Sequence, residues 1–134
     1  MTTTCRVIRA GQRVADVASG AMLREAAVST ALVGAEKLWA GLVELAPGAS
    51  SAVHHHGEAE SVIYMISGHA RFHSGASLED VDDAEPGDFV WVPPHVVHVE
   101  VNRSSAEPVR MVVVRSTQEA LVFNLPAPPG WAPD

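Results

Sequence analysis

The stretch "HHHGEAESVIYMISG", residues 54–68, decides how the rest of the chain is read. Three histidines, His54, His55 and His56, stand beside two carboxylates, Glu58 and Glu60. A β-rich segment then runs to Gly68. In an extended chain successive side chains alternate faces, so His54 and His56 point together while His55 points away. After Gly57 the chain can bring Glu60 back toward them. Two imidazoles and a carboxylate suit Fe, Zn, Mn, Ni or Co. All seven histidines lie between His54 and His98. A further donor must come from elsewhere in the sequence, and His98 in "VVHVEV" is the natural candidate, sharing a strand face with Glu100 and Asn102. The competing reading is an H-x-H on a solvated strand that binds nothing.

Outward from this stretch the chain reads as short strands separated by Gly and Pro turns. "KLWAGLVEL" ends at Pro47-Gly48. "HARFHS" ends at Gly75. The acidic "SLEDVDDAEPGD" closes on Pro86-Gly87, and "FVWVPP" is cut by two prolines. "VRMVVVRS" is a nearly all-apolar run that fits a buried strand. "EALVFNL" reads as a last strand before the Pro-rich tail. Near the N-terminus "SGAMLREAAVSTALVG" fits either a short helix or an extended arm. The pattern predicts an all-β barrel or sandwich over 37–125, an arm over 1–36 and a tail over 126–134.

The sequence has 134 residues, 47% hydrophobic and 19% charged, which suits one globular domain. A formal net charge of −7 without a basic run argues against nucleic acid as a partner. No stretch approaches the roughly 20 apolar residues that cross a bilayer, and the first residues lack a signal-peptide core. A cytoplasmic protein is the expectation. Cys5, the single cysteine, has no partner for a disulfide within the chain.

Two spaced motifs in this sequence resemble those of the cupins. The first cupin motif reads G-x5-H-x-H-x3,4-E-x6-G. Here Gly48 is followed by five residues, then His54, His55, His56, three residues and Glu60. The second reads G-x5-P-x-G-x2-H-x3-N. Here Gly87 leads through five residues to Pro93, Pro94 and His95, then His98 and Asn102. The resemblance implies a double-stranded β-helix, a jelly-roll barrel, with one divalent metal per subunit, held by His54, His56, Glu60 and His98. It also implies a small-molecule substrate or ligand. The reaction classes it implies include dioxygenases and other oxidoreductases, isomerases, cyclases and lyases, beside binders that catalyse nothing.

Two positions depart from the pattern. Seven residues rather than six separate Glu60 from Gly68, so counting back lands on Ser61. A bulge could absorb the difference, and Glu58 is the rival carboxylate. His95 stands where the motif has glycine, which permits an unusual turn. As catalytic groups the sequence offers Glu100, His95, Arg71 and His73, with His69 beside them. The last three line the pocket if their face of the strand is inward. Arg71 or Arg115 is the partner expected for a buried Glu100. Tyr64, Phe89, Trp91, Trp39 and Met111 are read as barrel packing, and His55 as a packed or interface histidine. A homodimer is expected, with the arm or the last strand packing across a two-fold axis.

Overall fold

The computed structural model describes residues 4–16 and 18–133. Among the described residues eleven strands form two antiparallel sheets. They are β1 (Val14–Ala15), β2 (Leu23–Val28), β3 (Trp39–Leu45), β4 (His54–His55), β5 (Ser61–Ser67), β6 (Ala70–Ser74), β7 (Asp80–Ala84), β8 (Phe89–Val92), β9 (His98–Asn102), β10 (Val109–Arg115) and β11 (Phe123–Asn124). One sheet has the order β1-β2-β3-β10-β5-β8, the other β11-β4-β9-β6-β7. This is the predicted jelly roll.

Alternation along the strands builds the core between the sheets. In β3, Trp39, Val43 and Leu45 face inward. In β10, Val109, Met111 and Val113 do so, and in β5, Ile63 and Met65. Ala70 and Phe72 of β6 close the other side. The two Pro-Gly turns form as expected. Gly48 and Gly87 take φ of 74° and 95°, and Ala49 and Asp88 donate back to Ala46 and Glu85. Asn102 has a structural task. Its amide donates to the carbonyls of Leu45, Ala46 and Glu107, so it clamps the turn after β3 to the end of β9.

The N-terminal segment that read as helix or arm contains both elements. Leu23–Val28 pairs with β3 of its own chain. Ser29 then caps a single helical turn, Thr30–Val33 (α1), which ends on left-handed Gly34. Gly41 makes the close approach of β2 to β3 workable. A Cβ there would lie 2.2 Å from the Glu25 carbonyl oxygen and 2.6 Å from the Trp39 ring. The last strand is shorter than predicted: only Phe123 and Asn124 pair, with β4.

Tyr64, Phe89 and Trp91 do not pack the barrel. They lie on the outer face of the first sheet, and Phe89 is 71% exposed. Tyr64 and Phe89 are cross-strand partners, with ring centroids 4.9 Å apart. Trp39 and Met111 are core residues, as expected.

Candidate metal centre

His54 and His98 are opposite one another in the β4–β9 ladder, and His56 follows immediately after β4. The ladder sets His54 and His98 with ring centroids 4.2 Å apart. His56 lies 4.8 Å from the first and 5.3 Å from the second. One ring nitrogen from each of the three falls within a span of 4.8 Å. His54 and His98 are buried.

The backbone fixes how these rings present themselves. Nδ1 of His54 donates to the Ala52 carbonyl (2.8 Å), that of His56 to Leu121 (2.8 Å) and that of His98 to Val96 (2.9 Å). A carbonyl oxygen only accepts, so Nδ1 carries the proton in each ring, and in the neutral ring Nε2 keeps its lone pair. This is how a protein holds imidazoles ready for a metal. Nε2 of His54 and of His98 has no hydrogen-bond partner, nor has Oε2 of Glu100. Buried polar atoms without partners are costly, and three around one point are accounted for by a cation between them.

The carboxylate of this cluster is Glu100, not Glu60. Glu100 lies on the inward face of β9 and is 2% exposed. Its Oε1 is 3.3 Å from Nε2 of His98 and its Oε2 is 3.9 Å from Nε2 of His54. Glu60 precedes β5 and faces solvent, where its carboxylate accepts a 2.8 Å hydrogen bond from the Trp91 indole. Glu58 is exposed as well. The register of β5 against β10 does shift, between Met65 and Ser67, but Glu60 faces solvent all the same. β5 begins at Ser61 with Ser61 buried, so the residue reached by the six-residue count is the one that faces the cavity.

Electrostatics follow from this packing. Burial lowers the pKa of His54. It pushes that of His56 down to about 4, against the hydrogen bond to Leu121. Burial would also lower His98, but the facing Glu100 carboxylate outweighs it and the pKa is raised. Burial would raise Glu100, and His98 and His54 more than reverse that, so it stays ionised. Three imidazole nitrogens within 4.8 Å of one another, with an ionised carboxylate beside them, could hold a divalent transition metal.

The other predicted residues lie elsewhere. Arg71 and His73 share one face of β6, and it is the outer face. Ala70 and Phe72, their neighbours in the strand, take the inner one. Arg71 donates to both carboxylate oxygens of Asp83, at 2.7 and 3.0 Å, and His73 packs edge-on against Trp131. His69 is exposed beside Glu85. His95 is exposed and takes φ of 64°, adopting the left-handed turn that the motif glycine would supply. Its N–H donates to the Gly57 carbonyl at 2.7 Å. His55 stacks on Phe123 at 4.9 Å, away from the other two histidines of its run.

Two residues complete the cavity that the sequence did not assign to it. Arg24 of β2 and Arg115 of β10, both buried, line it together with His56, Ser61, His98 and Glu100. The sequence suggests Arg115 only as a partner for a buried Glu100. Arg24 sits in a strand whose neighbour Leu23 is 67% exposed, so its polarity pointed to the wrong face. The cavity measures about 10 Å³, room for an ion or one water. His98 and Val92 also form the floor of a cleft of about 600 Å³ lined by residues of β7 and β8, the end strands of the two sheets.

The profile of the cupin domain family matches residues 41–115. No curated protein matches the chain in sequence. Among solved structures, the polyketide cyclase RemF from Streptomyces resistomycificus superposes with a TM-score of 0.76 at 18% identity, covering 94% of this chain and 89% of that one. A double-stranded β-helix protein from Klebsiella pneumoniae gives 0.69 at 22% identity, covering 90% and 97%. Oxalate decarboxylase from Bacillus subtilis gives 0.70 at 23% identity, covering 86% of this chain and 30% of the enzyme. These likenesses establish the fold, and the profile match over more than half of the sequence establishes the family: the chain is a member of the cupins.

Proposed function

We propose that the protein is a metal-dependent enzyme acting on a small organic molecule. Nε2 of His54, His56 and His98 and the carboxylate of Glu100 would hold one Fe, Zn, Mn, Ni or Co ion. The observation that carries this reading is the set of three unbonded buried atoms around one point, beside rings whose Nδ1 protons are all tied to backbone carbonyls. Such an ion, when bound, supplies Lewis-acid or redox chemistry.

The chain's own residues do the rest. The backbone carbonyls orient the three rings. Glu100 balances charge beside them. Met22, Ile63, Val92, Met111 and Val113 keep bulk water from the cavity. A small molecule approaching through the cleft meets His98 at its floor. Oxygen-dependent oxidation, isomerisation, cyclisation and lyase chemistry are the reaction classes this arrangement serves. A passive binder is the alternative, and the charged and polar lining by Arg24, Ser61 and Arg115 argues for an enzyme over it.

Metal analysis of protein purified without an affinity tag tests the site. About one transition metal per chain is expected, and His98→Ala should lose most of it. Full occupancy in that variant would refute the assignment. Oxygen uptake with candidate substrates then separates the oxidative classes from the others.

A further inference from the structure

The two buried arginines carry a further inference, which rests on the metal reading above. Arg24 and Arg115 come from different strands, and their guanidinium carbons lie 5.6 and 4.3 Å from the centroid of the Trp39 ring. Cation–π contact of this kind holds a guanidinium in place without using its N–H groups. Arg115 donates from Nε to the Thr117 carbonyl and from one terminal nitrogen to that of Gln118, both at 2.9 Å. Nε of Arg24 has no hydrogen-bond partner, although the residue is 6% exposed. An unbonded guanidinium nitrogen at that burial is a donor held for something.

Charge balance says what. Asp16, which accepts the Trp39 indole hydrogen bond at 3.1 Å, and Glu100 are the carboxylates that act on Arg24. Two guanidiniums against two carboxylates are balanced. A divalent ion at the histidines leaves an excess of about two positive charges in a cavity shielded from water, where uncompensated charge is costly. The aspartates of the adjoining cleft, Asp80, Asp82, Asp83 and Asp88, do not offset it. They are solvent-exposed, and exposed charges are screened over about 8–10 Å.

We propose that the substrate is an anion, a carboxylate or other oxyanion of one or two charges, a single oxygen of which enters the water-sized space lined by Arg24 and Arg115 beside the metal. The proposal sets the substrate class. It selects among small organic molecules by charge, and it assigns a binding role to the N-terminal strand β2.

The test uses the full chain loaded with Co²⁺, with acetate and its neutral isostere acetamide as probes at constant ionic strength. Cobalt uptake is scored first and tests the metal reading by itself. Binding is then read from the cobalt visible spectrum and, independently, from the shift in Tm. Acetate is expected to bind at least about tenfold more tightly than acetamide. Arg24→Gln should lose that preference while still taking up cobalt, and Arg24→Lys should keep part of it. Equal binding of the two probes by the native protein overturns the proposal. So does acetate binding that survives intact in both Arg24→Gln and Arg115→Gln, because acetate would then be held by the metal alone. Should no cobalt be taken up, the metal reading fails. The Tm shift by acetate in native protein and Arg24→Gln then decides the arginine site separately, a shift in the native chain only supporting it and no difference sinking it. If Arg24→Gln does not fold, Arg115→Gln and the native comparison of the two probes still decide.

Discussion

The beginning of β5 and the middle of β9 solve the same problem in opposite ways. At β5 the carboxylate, Glu60, stands outside and a serine, Ser61, stands inside. In β9 a carboxylate, Glu100, stands inside, two residues along the same face from His98. A strand presents alternate residues to its two faces, so a shift of a single residue moves a carboxylate from the cavity to the solvent. The difference teaches that a motif fixes donor types, while strand phase fixes which donor arrives. Glu60 lies outside at the start of β5, and the carboxylate beside the histidines comes from the facing sheet.

The largest effect that could break this comparison is on metal affinity. Glu100→Gln should weaken binding of Co²⁺ or Zn²⁺ by about 10–100-fold, since it removes the carboxylate charge beside the three imidazoles. Glu60→Gln should leave affinity within about twofold and cost at most about 0.5 kcal/mol of stability, typical of an exposed contact. Competition titration against a chelator measures both. The comparison is reversed if Glu60→Gln proves the more damaging.

The histidines sharpen it through pH. His56 has a folded pKa of about 4 against an ordinary 6.5. Between those values the unfolded chain binds a proton at His56 that the folded chain does not. Metal-free stability should therefore fall as pH drops from 6.5 to 4, by somewhat under about 1.4 kcal/mol per unit from this residue. His98, whose pKa is raised, contributes in the opposite sense: its stabilisation is complete below 6.5 and is lost as pH rises through its folded value. Tm profiles of the native protein and His56→Gln isolate the first effect, because the variant should show the shallower acid slope. Identical slopes would mean that His56 is not held neutral by burial.

How much of this was legible follows from the same rule. The three histidines could be read because H-x-H and the spacing from His98 to Asn102 place donors on one face whatever the phase of neighbouring strands. β5 could not be phased from "SVIYMIS", since Val62, Tyr64 and Ile66 on the outer face are as apolar as Ile63 and Met65 inside. β6 could not be phased for a related reason. Its outer face is covered too, by the satellite cluster of Val53, Leu78, Val99 and Val101 with Trp131 against it, so His73 is buried on the side away from the three histidines. β2 inverts the usual pattern, with Arg24 inside and Leu23 outside. Nothing local in "LREAAV" announces that a buried aromatic and a carboxylate wait for the guanidinium.

A transplant sharpens the comparison further. Because Ser61 faces the cavity beside His56 and His98, Glu100→Ala combined with Ser61→Glu should return the carboxylate to the start of β5. The double variant is expected to bind Co²⁺ about tenfold more tightly than Glu100→Ala alone, one charge-assisted contact being worth that much. No gain over the single variant would show that Ser61 cannot deliver a donor to the cluster.

The smallest effect concerns the other departure from the motif, His95. A non-glycine residue in the left-handed region costs about 1–2 kcal/mol, and glycine returns part of any gain through its larger unfolded-state entropy, about 0.5–1 kcal/mol. The bond from His95 N–H to the Gly57 carbonyl belongs to the backbone and survives substitution. The imidazole is exposed, and its nearest ring neighbour is His55, with centroids 6.3 Å apart. His95→Gly should thus raise stability by up to about 1 kcal/mol, a Tm increase of about 2–4 °C, while His95→Ala, which keeps the strained φ, should give none of it. Metal affinity should be unchanged in both. A loss of metal in His95→Gly would bring this histidine back into the site, and a loss of stability would mean that its side chain holds the loop before β9 through contacts worth more than the strain of its backbone.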